Sequence, residues 1–339
     1  MISNNKENRL ADSGNTNHGK ANYGKVAVLL GGESSERDIS LLSGDAIYQA
    51  LLSNNIDAIK IDAKDEWYKE LFEQSIDRVF IALHGRDGED GVVQGFLRIL
   101  NIPYTGSDTA SSALAMNKQH SKQIWKHLGF ATAPFEMVIQ TQNFSLREAE
   151  RIIGTLGKEL FVKPVREGSS VGMSKVTNSD ELISAVKLAQ QYDDVLVETF
   201  IDGKEYTVSI LNGVALPSIC MVTPNTFYDY DAKYCSSSTE YFCPSGLSER
   251  DEKVLNQNAI DAFNALGCSG WGRVDFIRDG EDGDFMLLEA NTVPGMTHSS
   301  LVPKSAKAAG INFSELVKKI LNTSLVEQKV SCFQGVENG

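Results

Sequence analysis

Four polar residues near the end of the chain have a spacing that suits metal-dependent chemistry. Residues 271–291, WGRVDFIRDGEDGDFMLLEAN, alternate apolar and polar side chains on either side of an acidic, glycine-rich stretch, which predicts a β-hairpin. Folding the hairpin about this stretch places Asp275 opposite Glu289. The same register places Arg273 opposite Asn291. Because side chains alternate between the two faces of a strand, all four should project from one face.

Two carboxylates that face each other across a hairpin repel, and a cation between them removes the repulsion. Oxygen donors from Asp275, Glu289 and Asn291 suit the hard ions Mg²⁺ and Mn²⁺. We therefore predict a divalent-metal site on this hairpin. The alternative is a solvated acidic hairpin, because a shift of one residue in the register would send Asp275 and Glu289 to different faces.

A second cluster combines a lysine at the end of an apolar strand with a flexible loop. Lys163 lies near the end of the strand LFVKP, and the loop REGSSVG that follows contains Ser169 and Ser170 between two glycines. Backbone amides and hydroxyls in such a loop can bind phosphate oxygens while the lysine supplies a positive charge. The standard phosphate loops GxGxxG and GxxxxGK[ST] do not occur here, and an ordinary surface loop is the alternative.

Four further segments carry polar residues after predicted strands or in loops. Glu36 lies at the start of a helix, where it could cap the helix or bind a ligand amine. His84, in LHGRDGEDG, follows a buried strand at the sheet edge where open α/β sheets bind ligands. Lys233 and Tyr234 lie in a long loop that is either a lid or a tyrosine-rich surface turn. Residues 291–303 could bind an oxyanion or form a turn before a helix.

The elements that must position these residues have an α/β pattern. Two apolar strands, KVAVLL at 25–30 and DRVFIAL at 77–83, are separated by a helical pattern, which predicts parallel pairing. The strands LFVKP and DVLVETF enclose a helix, and a later helix from Ser248 buries an apolar stripe before the acidic hairpin. Residues 1–23 are polar and are predicted to be a disordered leader.

Composition excludes several classes of function. With 339 residues, 42% of them hydrophobic, the chain can form two or three domains with buried cores. Its net charge of -13 argues against nucleic acid and anionic membranes as partners. No apolar stretch approaches the ~20 residues of a spanning helix, and the start of the chain lacks a secretory signal, so we expect a cytoplasmic protein. The five cysteines lack zinc spacing and are predicted to be reduced thiols.

Taken together, these motifs resemble the D-alanine–D-alanine ligases of the ATP-grasp superfamily. The segments that carry the resemblance are GGESSERDISLLSG, FIALHGRDGEDGVVQGFL, IPYTGS, AMNKQHSK, FVKPVREGSSVGMSKV, TFYDYDAKY, YFCPSGL, GCSGWGRVDF and LLEANTVPGMTHSSLVP. The resemblance implies an α/β (α+β) ATP-grasp fold with an N-terminal parallel-sheet domain and two antiparallel-sheet domains that clasp ATP. The implied limits are a substrate-binding domain at 24–106, a central domain at 107–202, a catalytic domain at 203–325 with a lid loop at 224–246, and a flexible tail at 326–339.

The resemblance also implies a role for individual residues. The nucleotide site would comprise Lys118, Lys163, Ser169, Ser170, Glu198, Glu205 and Lys233. The substrate and catalytic residues would be Glu36, His84, Ser169, Tyr234, Arg273, Gly295, Ser300 and Leu301. Glu36, Ser169 and Tyr234 would hold the first D-alanine. Arg273 and the Gly295 amide would stabilise the tetrahedral intermediate, and Ser300 and Leu301 would receive the carboxylate of the second substrate. Asp275, Glu289 and Asn291 match the metal ligands of the family, which bind two Mg²⁺ or Mn²⁺ ions.

The implied activity is the joining of two D-alanine molecules through a D-alanyl phosphate, with ADP and phosphate as co-products, for peptidoglycan synthesis. The family suggests a cytoplasmic homodimer. The nearest alternative is a ligase that uses D-lactate or D-serine as second substrate, and Tyr234 favours D-alanine because depsipeptide ligases differ there. An inactive ATP-binding regulatory protein is a further alternative, although it would not need an intact set of catalytic residues. The order His298-Ser299 departs from the family pattern and leaves a role for His298 open.

Overall fold

A three-stranded parallel sheet opens the fold in the computed structural model, which describes residues 22–223, 239–281 and 283–325. Its strands are β1 (Val26–Leu30), β2 (Ala58–Asp62) and β3 (Arg78–Ile81), in the order β2-β1-β3. Helix α1 (Arg37–Ser53) connects β1 to β2, and α2 (Tyr68–Glu73) precedes β3. The predicted parallel pairing of β1 with β3 is confirmed. Strand β2 escaped prediction because its half-exposed sequence, AIKID, lacks a continuous apolar run.

A second, antiparallel sheet has the strand order β4-β7-β5-β6. Three helices precede it: α3 (Val92–Ile99), α4 (Thr109–Met116) and α5 (Lys118–His127). The strands and the two helices between them are β4 (Phe135–Val138), α6 (Leu146–Leu156), β5 (Leu160–Pro164), β6 (Ser174–Val176), α7 (Ser179–Ala189) and β7 (Val195–Thr199). Helices α6 and α7 pack on the sheet through a core that includes Ile152, Val162 and Val186. This core fixes the strand ends that carry the predicted nucleotide residues.

A third, antiparallel sheet has the strand order β11-β10-β8-β12-β13, with β9 paired to β8. Its strands are β8 (Gly203–Leu211), β9 (Val214–Ala215), β10 (Ile219–Val222), β11 (Glu240–Phe242), β12 (Trp271–Asp279) and β13 (Phe285–Asn291). Helix α8 (Glu249–Ala265) begins after Ser248, as predicted, and buries Leu255, Ala259, Ala262 and Phe263. The predicted class, one parallel sheet followed by two antiparallel sheets, is therefore confirmed.

The last helices return to the first sheet. After β13 come α9 (Leu301–Ala308), α10 (Phe313–Asn322) and a 3₁₀ turn at Thr323–Leu325. Leu316, Val317 and Ile320 of α10 belong to the same apolar core as β1 and β3. The end of the chain therefore ties the third sheet to the first, which is a condition for a site built from both.

The register of the β12–β13 hairpin agrees with the prediction at the residues that matter for chemistry. Arg273 pairs with Asn291, and Asp275 pairs with Glu289. Nearer the turn the pairing shifts by one residue, because a β-bulge after Asp275 sets Phe276 opposite Leu287. Without this bulge the turn register would set Asp275 opposite Leu288. The bulge thus brings the two carboxylates face to face.

Parts of three predicted segments lie outside the described residues. They are 1–21 of the leader, 224–238 of the lid loop, and the tail from 326. Tyr23, which the prediction assigned to the leader, is buried, and its hydroxyl donates a hydrogen bond to the Asn322 side chain.

Two further sequence expectations concern helices and thiols. No helix in the described ranges is both long and apolar enough to cross a bilayer. Cys220, Cys243 and Cys268 are free thiols, as predicted, and the first and last are buried.

Candidate active site

Two clefts meet at the β12–β13 hairpin. The first opens between the second and third sheets, and its lining includes Lys118, Lys163, Ser170, Glu198, Glu205, Arg273, Asp275, Glu289 and Leu301. The second opens between the loops of the first sheet and the hairpin, and its lining includes Glu36, His84, Ser169, Arg273, Glu289, Asn291, Gly295, Ser300 and Leu301. Arg273, Glu289 and Leu301 line both clefts. A ligand in one cleft would therefore meet a ligand in the other at these side chains.

Asp275 accepts hydrogen bonds from three side chains. Arg273 donates two hydrogen bonds to it, from Nε to Oδ1 at 2.8 Å and from Nη2 to Oδ2 at 2.7 Å. Asn291 Nδ2 donates to Oδ2 at 3.1 Å, and the hydroxyl of Thr207 donates to Oδ1 at 2.6 Å. Thr207 pairs with Asp275 across β8 and β12, and sequence reasoning did not find it because no local pattern relates the two. These bonds fix the orientation of Asp275.

Glu289 faces a lysine that the resemblance assigned to the nucleotide. Lys118 Nζ lies 3.3 Å from Glu289 Oε2 and donates a hydrogen bond of 2.8 Å to the carbonyl of Glu167. Positive groups thus face both hairpin carboxylates, since Arg273 faces Asp275. No three His, Cys, Asp or Glu side chains among the described residues form a metal-binding group, so a metal here would take two carboxylates and an amide oxygen. That all-oxygen set fits Mg²⁺ or Mn²⁺.

A buried triad of charges lies in the first cleft. Glu198 forms ion pairs with Lys163 and with Lys122, whose Nζ is 2.8 Å from Glu198 Oε2. Burial alone raises the pKa of Glu198, but the charges of Lys122 and Lys163 outweigh it and lower the pKa to about 2. The triad carries one net positive charge when both lysines are protonated, which favours an anionic ligand.

Lys122 was not identified from the sequence. It is fully buried, and burial lowers the pKa of its ammonium group. Its position four residues after Lys118 on α5 was the available signal, because residues at i and i+4 share one face of a helix.

The serine loop after β5 lies between the two clefts. Ser169 and Ser170 have positive φ angles of 48° and 61°. Ser169 donates a hydrogen bond to the carboxylate of Glu36 in the second cleft, whereas Ser170 lines the first. Glu36 occupies the N-cap position of α1, as the capping interpretation placed it, but its side chain makes no capping hydrogen bond. Its carboxylate is turned towards the serine loop instead.

His84 is buried behind the second cleft. Its Nδ1 lies 2.8 Å from the carbonyl of Val293, so Nδ1 carries the proton, and Nε2 lies 3.3 Å from Ser43 Oγ. Burial lowers the pKa of His84, but the Glu89 carboxylate 3.8 Å away, together with the charge of Glu36 and the Val293 carbonyl, outweighs burial and raises the pKa above its ordinary value. Burial in turn raises the pKa of Glu89, which sequence reasoning did not single out. His84 connects the first sheet to the segment after β13.

The start of α9 forms the far wall of the second cleft. Ser300 occupies the N-cap position without a side-chain capping bond, and its hydroxyl oxygen accepts a hydrogen bond from the Thr297 amide at 3.0 Å. Gly295 and Leu301 line the same wall. A helix N-terminus favours a carboxylate through its free amides and dipole. His298 packs against Phe313, with ring centroids 5.3 Å apart. Lys233 and Tyr234 lie outside the described residues.

Comparisons with known proteins agree on one family. Residues 69–107 match the D-ala D-ala ligase N-terminus family, and residues 124–322 match the D-ala D-ala ligase C-terminus family. A D-alanine–D-alanine ligase from Pseudoalteromonas atlantica is 52% identical over 305 residues, which are 90% of this chain and 95% of that protein. One from Idiomarina loihiensis is 51% identical over 308 residues, covering 90% and 99% of the two chains.

Solved structures give the same result. The D-alanine–D-alanine ligase from Bacillus anthracis complexed with ATP is 34% identical, with a TM-score of 0.77 over 89% of this chain and 97% of that one. A D-Ala:D-Ser ligase from Enterococcus faecalis is 30% identical, with a TM-score of 0.77 over 88% and 99% of the two chains. The three-sheet architecture is therefore shared with ligases of this kind.

The low pKa of Glu198 predicts a specific acid dependence of stability. The carboxyl titrates near its ordinary value of 4.5 when the chain is unfolded and at about 2 when folded, so its stabilisation is present above pH 4.5 and lost as the pH falls towards 2. Urea unfolding of wild type and Glu198→Gln should show a difference in the free energy of unfolding that is constant above about pH 5 and shrinks below it.

The exposed pair Arg151–Glu136 supplies the control, because Glu136→Gln removes a carboxylate whose partner is largely solvated. The free energy of unfolding of Glu136→Gln should differ little from that of wild type at either end of the pH range. An unchanged difference between wild type and Glu198→Gln at about pH 3 would contradict the assignment of the low pKa.

Proposed function

The chain belongs to the D-alanine–D-alanine ligase family, and we propose that its two clefts together carry out the ATP-dependent joining of two D-alanine molecules. It is a ligase with an ATP-grasp fold, and its product is D-alanyl-D-alanine, a precursor of peptidoglycan. The observation that carries the mechanism is the sharing of Arg273, Glu289 and Leu301 by both clefts. A nucleotide and an amino acid bound on either side would meet at these residues.

The first step forms an acyl phosphate. We place ATP in the first cleft, with its phosphates near Lys118, Lys163 and the serine loop, and the first D-alanine in the second cleft, with its ammonium near Glu36. The carboxylate oxygen attacks the γ-phosphorus, the bond from that phosphorus to the bridging oxygen breaks, and ADP leaves. Such a transfer needs positioning and charge neutralisation more than a protein base, and the lysines and Arg273 supply both.

The second step forms the peptide bond. The carboxylate of the second D-alanine would bind at Ser300 and Leu301, where the N-terminus of α9 favours an anion. Its amine attacks the acyl carbon, Arg273 and the Gly295 amide stabilise the oxyanion, and the carbon–oxygen bond breaks to release phosphate. The incoming ammonium must first lose a proton, for which Glu36 or a relay through Tyr234 and Ser169 are the candidates.

Asp275, Glu289 and Asn291 would hold two divalent cations, Mg²⁺ or Mn²⁺, beside the phosphates. Bound there, the ions supply charge neutralisation for the transferred phosphoryl group. Support for this role comes from the oxygen donor set, in which Asp275 pairs with Glu289 and Arg273 pairs with Asn291 across the hairpin.

Three further properties are proposed from family membership. The enzyme would act as a homodimer in the cytoplasm. Its domains would keep the limits 24–106, 107–202 and 203–325. The lid residues Lys233 and Tyr234 would close over ATP and the first D-alanine.

The proposed function predicts the products of a simple assay. Purified protein with ATP, Mg²⁺ and D-alanine should release phosphate and form D-alanyl-D-alanine at neutral pH, and L-alanine should give neither product. The measurement is phosphate release together with mass spectrometry of the dipeptide. Turnover only with D-alanine plus D-lactate or D-serine would instead identify a mixed ligase, and ATP binding without any turnover would indicate an inactive regulatory protein.

The metal site predicts a selective loss on changing Glu289. Glu289→Gln should lower kcat/KM by about 100-fold or more, because it removes a negative oxygen donor at the junction of the clefts. Calorimetric titration of the ATP complex with Mn²⁺ should show weaker metal binding. The matched control is Glu281→Gln in the exposed turn of the same hairpin, which should leave both quantities unchanged. Equal Mn²⁺ affinity in Glu289→Gln and wild type would rule out Glu289 as a ligand.

A further inference from the structure

The serine loop is held in a conformation that its own residues disfavour. Ser169 and Ser170 are consecutive non-glycine residues with left-handed φ angles of 48° and 61°. Residues with a Cβ adopt this region reluctantly, and such conformations persist only where the surroundings impose them. The contacts that surround this loop therefore determine whether its hydroxyls and amides face the clefts.

One such contact comes from the loop after β3, in the first sheet. Arg86 donates two hydrogen bonds to Glu167 Oε1, from Nε at 2.9 Å and from Nη2 at 2.7 Å. Its Nη2 also lies 3.3 Å from the carbonyl of Tyr192, to which it donates. Glu167 is the second residue of the serine loop segment REGSSVG, two positions before Ser169. Arg86 thus links the amino-acid side of the site to the loop on the nucleotide side.

The backbone of Glu167 extends this link into the junction of the clefts. Its carbonyl accepts the hydrogen bond from Lys118, and Lys118 pairs with Glu289. A displacement of Glu167 would therefore change the position of Lys118 as well as that of the serine loop. Arg86 itself lies at the periphery, with a side chain that is 51% exposed, whereas the side chain of Glu167 is 14% exposed.

We propose that Arg86 is a positioning residue for phosphoryl transfer. By clamping Glu167, it holds the serine loop and Lys118 in the arrangement that receives the ATP phosphates. This inference rests on the proposed function, because it assigns ATP to the first cleft. The opposing interpretation is an ordinary surface ion pair, which contributes little to stability or function. The pair differs from an ordinary one in joining two sheets and in contacting the segment that bears the disfavoured φ angles.

A second arginine, Arg166, begins the segment REGSSVG and anchors it from within the second domain. Arg166 makes paired hydrogen bonds to Asp193, from Nε to Oδ2 at 2.8 Å and from Nη2 to Oδ1. Arg86 Nη2 lies 4.0 Å from the same Asp193 Oδ2, so its strong contact is the one with Glu167. Both residues flank strands of the second sheet, so this pair braces the loop only against its own domain. Arg86 supplies the brace from the domain that holds the first D-alanine.

Arg86→Gln tests the proposal because it should change the KM for ATP and leave the KM for the second substrate unchanged. We expect the KM for ATP to rise about three- to tenfold and kcat to fall, because the phosphate-binding groups are less well positioned. The KM for the second D-alanine should not change, since that subsite is formed by the start of α9. The matched control is Arg151→Gln, which breaks an exposed Arg–Glu pair with two hydrogen bonds of similar length within the second domain and should match wild type.

A charge exchange distinguishes the clamp from a general effect on folding. Arg86→Glu alone should be more impaired than Arg86→Gln, because it sets a third carboxylate beside those of Glu167 and Asp193. The double variant Arg86→Glu/Glu167→Arg should restore the ion pair and bring the KM for ATP back down towards the wild-type value. Thermal unfolding midpoints of all variants, measured beside the kinetics, identify any variant that has lost its fold.

Results that contradict the role of Arg86 differ from results that contradict the proposed ligase function. Wild-type protein without ligase activity would contradict the proposed function. If wild type is active and Arg86→Gln has the same kinetics as Arg151→Gln, the proposed role of Arg86 is overturned and the proposed function still stands. A double variant no better than Arg86→Glu, or an equal rise in the KM for the second D-alanine, would also overturn it.

Discussion

The pairing of Asp275 with Glu289 across the β12–β13 hairpin is the constraint on which the site depends. Two carboxylates held face to face require positive charge around them, and the fold brings it from separate elements. Arg273 comes from the same strand as Asp275, and Lys118 comes from α5. Since Arg273 and Glu289 line both clefts, the charges that satisfy the hairpin also define where a phosphate and a carboxylate would meet.

This local arrangement explains how a strongly acidic protein can bind a polyanionic nucleotide. The chain carries a net charge of -13, but Lys118 and Lys163 line the first cleft, and the buried Lys122 lies behind Glu198. Glu198 neutralises one of the two charges beside it and leaves the other available. Buried charges of one sign would destabilise the fold, so the carboxylate is as necessary to this cleft as the lysines.

Residues linked by local periodicity could be predicted from the sequence. Alternation along 271–291 was sufficient to pair Asp275 with Glu289, and the apolar runs at 25–30 and 77–83 were sufficient to predict a parallel sheet. The β-bulge that maintains the register near Asp275 left no recognisable sequence signal. Local sequence placed Glu36 at the start of α1 but not its side-chain partner, because Ser169 is 133 positions away in the chain.

The same limit applies to the residues that were not predicted. Lys122 of α5 was missed although its partner Glu198 of β7 was named, and Arg86 and Glu167 come from loops of different sheets, so these pairings depend on tertiary structure. The i+4 spacing places Lys122 on the same helix face as Lys118, but it does not reveal that the side chain is fully buried beside a glutamate. The family resemblance supplied roles for Lys118 and Glu198, but it supplied none for Lys122, Arg86 or Glu167.

The most direct test of the central claim, that a carboxylate and the γ-phosphate meet at the junction of the two clefts, is an oxygen-transfer experiment. D-Alanine labelled with ¹⁸O in its carboxylate is incubated with the enzyme, ATP and Mg²⁺, and the released phosphate is analysed by mass spectrometry. Each phosphate should carry one ¹⁸O atom, because the carboxylate oxygen that attacks phosphorus leaves with it. Dipeptide formation with unlabelled phosphate would contradict an acyl phosphate at this junction.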